Sequence, residues 1–294
     1  MDKIGIVILN YLNYKDTIEC VESIAIDEYP AKEIIIVDNG SPNSSKAELE
    51  EKFTNIGGIH LLFSDQNEGF ARGNNIGIRH AIDHLKCNFV LLVNNDTIFQ
   101  DPRMITALVE AYEEGVGIIG PRILTADGNE QNPVRHEKSR SNLKQEIYYR
   151  QKIGNIRFKQ SNLYQGLRKL NIFKKDKKSR GVVQESTIAL SLVLHGACMM
   201  LTKDYFKYYP YLFPETFLYY EENILTVLTS KVGLSKKFIN TTHIFHKEDQ
   251  SSEMSFSNDK GFKTKYLLES IKSAQEIYPL TYELIKKRYF SCAE

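Results

Sequence analysis

The sequence predicts an α/β fold: a mostly parallel central sheet with helices on both faces. Three observations carry that prediction. Short apolar runs such as Ile4–Leu9, Glu33–Val37 and Phe89–Val93 have the composition of strands buried on both sides. Segments with apolar residues at helical spacing separate them, so strand and helix alternate along the first part of the chain. Four polar clusters also fall where strands finish, and in open α/β sheets ligands gather at the carboxyl ends of strands.

Taken in order, Ile4–Leu9 is the first strand, and Asp16–Ile24 a helix with Ile18, Val21 and Ile24 on one side. Glu33–Val37 is the second strand, closed by Asp38-Asn39-Gly40-Ser41-Pro42. A helix over Ser45–Phe53 and a strand over Ile59–Phe63 follow. The loop Ser64–Gly69 leads into a helix over Ala71–Leu85 and then the strand at Phe89. A helix from Asp101 to about Glu114 precedes a short strand, Gly117–Ile123. The pattern breaks over 125–186, which is polar, basic and dotted with aromatics, with an amphipathic piece at Leu143–Ile153. Apolar order returns over 191–202. A loop and helix then span Phe213–Leu228, a late strand Phe238–Phe245, and helical spacing runs from Tyr266 to Tyr289, interrupted at Pro279. This predicts a catalytic domain over 1–250 interrupted by a basic insert, and a helical extension over 251–294.

At 294 residues the chain can bury a large core. No apolar run is long enough to span a bilayer. Met1-Asp2-Lys3-Ile4 enters a strand without a signal-peptide layout, so the expected location is the cytosol. Cys20, Cys87, Cys198 and Cys292 are widely spaced, as expected of reduced, buried thiols rather than a disulfide or zinc framework. The net charge of +1 hides an asymmetry: between Arg135 and Arg180 lie fifteen Lys or Arg against Glu137, Glu146 and Asp176. That block is either a solvated insertion or a surface for an anionic partner. Nucleic acid fits poorly, because no recognition helix or base-stacking motif accompanies the charge.

Four polar clusters define a pocket rim: Asn10-Tyr11, Asp38-Asn39-Gly40-Ser41, Asn67 to Asn75, and Asn94-Asn95-Asp96. An Asp after the second strand can accept from a nucleobase imide or a ribose hydroxyl. Arg72, at a helix start rich in Gly and Asn, can clamp a diphosphate beside backbone N–H groups. Asp96 can seat a divalent cation between two phosphates, or alternatively cap the next helix. The first strand–helix turn lacks the glycines of a dehydrogenase dinucleotide site, and no nucleoside triphosphate loop is present. Nor does the glycine-rich loop of a sugar-nucleotide pyrophosphorylase follow the first strand.

Val7-Ile8-Leu9-Asn10-Tyr11, Ile36 to Ser41, Asn67 to Asn75 and Val93 to Thr97 resemble family 2 glycosyltransferases of the GT-A fold. The likeness is greatest to bacterial rhamnosyltransferase-like enzymes of cell-surface polysaccharide synthesis, and it continues in His195 to Leu201 and Phe213 to Glu222. The resemblance implies an inverting transfer from a nucleotide-diphosphate sugar to a saccharide or lipid-linked acceptor. Asn10, Tyr11, Asp38, Asn39, Asn67, Arg72, Asn75, Asn94 and Asn95 then fall on the donor side, with Asp38 and the Asn10 region at base and ribose. Asn94-Asn95-Asp96 occupies the place of the family's Asp-x-Asp motif, so Asp96 is the metal-holding carboxylate, with Mg2+ or Mn2+ implied. His246, after the late strand, is either a contact to metal or diphosphate or a structural histidine.

Inversion needs a base for the acceptor hydroxyl. Glu221-Glu222 are either first-turn helix acids or the catalytic pair. The resemblance maps the family's base onto Glu222, with Glu221 beside it. Ile224 stands where the family carries a further Asp, so a catalytically impaired homologue that binds nucleotide or a partner is the alternative expectation. The basic insert, with Lys174, Lys175, Lys177 and Lys178 after Ile172-Phe173, is expected to touch an anionic membrane face peripherally.

Overall fold

Strand, helix and strand alternate from the N-terminus in a computed structural model that describes residues 1–136, 153–157, 186–190, 192–248 and 260–291. The elements are β1 (Ile4–Asn10), α1 (Tyr14–Ser23), β2 (Lys32–Asp38), α2 (Ser45–Phe53), β3 (Ile59–Phe63), α3 (Gly69–Arg79) and β4 (Phe89–Asn94). Next come β5 (Thr97–Phe99), α4 (Met104–Glu110), β6 (Val116–Thr125), β7 (Arg135–His136), β8 (Thr187–Ala189), β9 (Leu192–Val193) and β10 (Cys198–Leu201). Then follow α5 (Lys203–Phe206), α6 (Glu221–Lys231), β11 (Ser235–His246), α7 (Lys260–Ile277) and α8 (Tyr282–Tyr289).

The sheet runs β3-β2-β1-β4-β10-β6-β11-β5, with β8 along β11. The first four strands pair parallel, as does β6 with β11. The departure from the parallel pattern is β10, which fits between β4 and β6 running antiparallel to both, and β5 and β8, antiparallel to β11. β7 and β9 form a separate two-stranded ribbon.

The alternation of each strand splits its apolar residues between two cores. Ile6, Ile8, Leu91 and Val93 face α1, α2 and α4; Val7, Val90 and Leu92 face α3, α6, α7 and α8. Burial on both faces explains why these strands read as unbroken apolar runs. α3 lies close on β1 because Gly77 has no side chain there: a Cβ would come 2.5 Å from Val7. The helix predicted to Leu85 ends at Arg79, and a π-helical turn, His80–His84, continues it. The helix predicted from Asp101 starts at Met104, where the Asp27 carboxylate accepts from the Ile105 N–H (2.9 Å).

The insert lies largely outside the described residues, as do 251–259 and Cys292. Cys20, Cys87 and Cys198 are free and buried. In the C-terminal segment, Ile271, Ala274, Ile277, Ile285 and Phe290 are buried among Tyr205, Tyr209, Tyr211 and Phe213. Among the described residues no helix is long and apolar enough to cross a membrane.

Candidate active site at the strand ends

The ends of β1, β2 and β4, the start of α6 and the end of β11 surround a cleft of about 510 Å³. Tyr11, Asn39, Asn67, Asn94, Asn95 and Asp96 line it after β1 to β4, together with Glu221 and Glu222 at the start of α6 and His246 at the end of β11. Four residues expected at the site, Asn10, Asp38, Arg72 and Asn75, are off its wall.

Each has a local reason. The register sets Asn10 beside Asp38, and Asn10 Nδ2 donates to Asp38 Oδ2 (2.6 Å). Asp38 Oδ1 accepts from the Ser41 N–H (3.0 Å), so each carboxylate oxygen has one donor, from β1 and from the turn. Arg72 does not face the cleft: its Nε donates to Pro214 O (2.8 Å), its guanidinium lies 3.6 Å from Glu215, and its side chain is half exposed. Asn75 donates to Leu212 O (2.9 Å) and accepts from Leu212 N–H (2.8 Å), pinning the loop ahead of α6. These side chains build the cleft from behind.

Asn39 is more central. It donates to Asn67 Oδ1 (3.0 Å) and Gly69 O (3.2 Å) and accepts from the Glu68 N–H (3.0 Å), which holds the α3 entry loop against β2. Gly69 adopts φ +80, and a Cβ there would come 2.4 Å from Phe217 O, so this loop and the 217 loop meet backbone to backbone. The Phe70 N–H donates to that same carbonyl (2.7 Å).

At the end of β4, Asn95 Nδ2 donates to Asn13 O (3.2 Å) and Thr17 Oγ1 (3.1 Å), turning Asp96 into the cleft. Asp96 is buried, and its Oδ1 receives no hydrogen bond from any described residue. Its near neighbour is His246 Nε2 at 3.2 Å. His246 is buried by β11, which runs antiparallel to β5 and sets His246 opposite Thr97. An unpartnered carboxylate oxygen beside an imidazole nitrogen is a donor set that a divalent cation fits. Among the described residues no group of three or more His, Cys, Asp or Glu is placed to hold a metal ion.

Glu222 Oε1 accepts from the Gly196 N–H (3.1 Å); a Cβ on Gly196 would come 2.9 Å from that oxygen, so glycine lets the backbone approach. Glu221 is 8% exposed, and its Oε1 has no donor among the described residues. Burial, and then the charge of Glu222, push its carboxyl up to about 8. Tyr219 and Tyr220 enter the helix at φ 71 and 75, a left-handed conformation that strains non-glycine residues by about 1–3 kcal/mol each. Ile224, one turn inside α6, is 1% exposed within the apolar cluster, so this position serves the core.

Sequence reasoning missed Gln131, Glu248, Tyr219 and Tyr220, which also line the cleft. The signal for the tyrosines was their place directly before the acid pair. Gln131 and Glu248 carried none, since only the fold brings them together. His195 lines the cleft too; its ring meets His246 edge-on at 5.8 Å and its Nδ1 accepts from the Ala197 N–H.

Residues 5–177 match the family described as Glycosyl transferase family 2. The chain is 26% identical over 222 residues to the low-salt glycan biosynthesis hexosyltransferase Agl10 of Haloferax volcanii, covering 76% of this chain and 60% of that protein. It is 27% identical over 116 residues to glycosyltransferase GlyG of Streptococcus pneumoniae, covering 40% of this chain and 37% of that one. The chain thus spans less than two thirds of either relative. Among solved structures it resembles S. aureus TarS 1-349 in complex with UDP, with a TM-score of 0.52 and 13% identity, covering 97% of this chain and 69% of that one. That likeness concerns the fold, which is of the GT-A type. With more than half of its length matched by one family and a cleft at the expected strand ends, this chain belongs to glycosyl transferase family 2.

Proposed function

We propose that the chain transfers a sugar from a nucleotide-diphosphate donor to a hydroxyl of a saccharide or lipid-linked acceptor, with inversion and with Mg2+ or Mn2+. The observation that carries this reading is the meeting of the Asp96–His246 donor set and the Glu221–Glu222 pair on one cleft. The UDP in the TarS structure and the hexosyltransferase relative support a nucleotide-sugar donor.

In this reading Tyr11 and Asn39 face the base and ribose, framed from behind by Asn10 and Asp38, and Asn67, Asn94 and Asn95 line the path to the diphosphate. Asp96 and His246 hold the metal, which when bound neutralises charge developing on the departing diphosphate. Glu222, fixed by the Gly196 N–H, takes the acceptor proton. The acceptor oxygen bonds to the anomeric carbon as the bond to the phosphate oxygen breaks, and the electron pair leaves with the nucleoside diphosphate. Glu221, neutral below about pH 8, adds no second negative charge at the attacking hydroxyl. Arg72 acts through Pro214 and Glu215 on the loop before α6.

We further assign 1–250 as the catalytic unit and 251–294 as an extension, of which Ile271, Ala274, Ile277, Ile285 and Phe290 pack in the shared core. The basic insert is the proposed contact to an anionic cytoplasmic membrane face. Incubation with UDP-, GDP- and dTDP-sugars plus Mn2+, with free nucleoside diphosphate as readout, tests the proposal. Release that disappears in Glu222→Gln supports it. Tight nucleotide binding without release from any donor favours the second reading, a binding protein without turnover, which the core role of Ile224 motivates.

A further inference from the structure

Beyond the two candidate metal-holding residues, the cleft contains a polar relay that reaches His246 from the side away from Asp96. Gln131 Oε1 lies 2.7 Å from His246 Nδ1, and Gln131 Nε2 donates to Glu248 Oε1 (2.5 Å). Gln131 is buried, and Glu248 lines the cleft. Glu248 adopts φ 65, a strained conformation for a glutamate, at the turn directly after β11.

The direction of this relay follows from elementary donor and acceptor chemistry. An ionised carboxylate only accepts, so the Gln131 amide nitrogen must be the group facing Glu248. The amide oxygen then faces His246, and because a carbonyl oxygen also only accepts, Nδ1 must carry the proton. In the neutral ring this leaves Nε2 with its lone pair, 3.2 Å from an Asp96 Oδ1 to which no described residue donates. Two electron-rich atoms this close repel unless positive charge lies between them, and a divalent cation bound by both supplies it. We infer that Gln131, oriented by Glu248, is a positioning residue that fixes the tautomer and angle of His246 so that Nε2 and Asp96 Oδ1 face one divalent cation. Resting on the metal-dependent reading above, this names two residues that act without touching the metal. Outer partners of this kind usually change metal affinity by about tenfold to a hundredfold.

The test is Mn2+ titration of the full chain in the presence of UDP, followed by electron paramagnetic resonance. Gln131→Met keeps the bulk but removes both polar ends, and is expected to weaken Mn2+ binding by about tenfold to a hundredfold. Glu248→Gln leaves the amide of Gln131 free to turn over, and is expected to weaken it less. UDP binding without metal and thermal unfolding control for misfolding. As a second measurement independent of any variant, nitrogen NMR of the wild-type chain with Mg2+ and UDP is expected to find the His246 proton on Nδ1. Mn2+ affinity unchanged in Gln131→Met, or a proton on Nε2 with Mg2+ bound, overturns the relay while the metal reading stands. A wild-type chain that binds no Mn2+ with UDP overturns both.

Discussion

Glu221 gives the site a measurable signature in stability. Its carboxyl is buried, has an oxygen without a donor among the described residues, and stands beside Glu222, which together raise it from the ordinary 4.5 to about 8. At 1.36 kcal/mol per pH unit this corresponds to about 5 kcal/mol of preference for the protonated form in the folded state. The folded protein therefore binds this proton more tightly than the unfolded chain. Stability from this group is at its highest below the unfolded value, declines as pH rises from 4.5, and carries the full penalty above about 8. Glu221→Gln has nearly the same shape and no charge at any pH. Urea unfolding of both chains, followed by circular dichroism, is expected to give stabilities within about 1 kcal/mol of each other near about pH 5 and a variant more stable by about 2–5 kcal/mol near about pH 9. Curves that stay parallel across that range refute the argument, because they require Glu221 to be ionised as easily in the folded chain as in the unfolded one.

Glu222→Gln keeps an oxygen for the Gly196 N–H, so thermal stability is expected to hold while sugar transfer falls by about 10²–10⁴-fold in a nucleotide-release assay. Gly69→Ala forces a Cβ to 2.4 Å from Phe217 O at a left-handed φ, and is expected to cost about 2 kcal/mol or more in denaturant unfolding. Arg72→Ala separates two roles: if the side chain serves the Pro214 loop, UDP affinity by calorimetry stays within about threefold, about 0.7 kcal/mol, whereas a diphosphate clamp loses far more. Asn94→Asp adds a carboxylate to the cleft near Asp96 and is expected to tighten Mn2+ by about tenfold, about 1.4 kcal/mol. Unchanged Mn2+ affinity there counts against Asp96 as the seat of the cation.

The core strands were legible because burial on both faces leaves composition little freedom: the run predicted at Phe89–Val93 is β4, Phe89–Asn94. β5 was not. Its three residues, Thr97–Phe99, form a strand through pairing with Ile244, Phe245 and His246, far along the chain. The same limit applies to the site. Polar residues directly after strands could be read as a rim, since chain position alone puts them there. Which ligand-capable groups reach the cleft wall could not be read: Asp38 has the right chemistry, yet it lies behind the wall with Asn10 and Ser41 donating to its oxygens. Gln131 reaches His246 across 115 positions, a distance over which no local pattern operates.

The rim is built mainly of amides, and that choice has a physical logic. An asparagine donates and accepts, so it can pass a hydrogen bond from one strand end to the next; a carboxylate only accepts, and several gathered together repel. From Asp38 the connection runs through Asn10 to Thr17, whose hydroxyl donates to Asn10 and accepts from Asn95. Asn95 also donates to Asn13 O, and Asn13 donates to Asp16, which accepts in turn from Lys247 Nζ (2.8 Å). The Lys247 N–H closes the path on Asp96 O (2.9 Å). The start of α1 thereby ties the ends of β1, β2 and β4 to the residue following His246. With neighbours satisfying one another, the negative charge left without a donor on the strand side falls on Asp96 Oδ1. Carboxylates at Asn10, Asn13 or Asn95 would break the path and compete for a cation. Among the described residues that line the cleft after β1 to β4, the amides leave Asp96 as the carboxylate, at the point where His246 faces it.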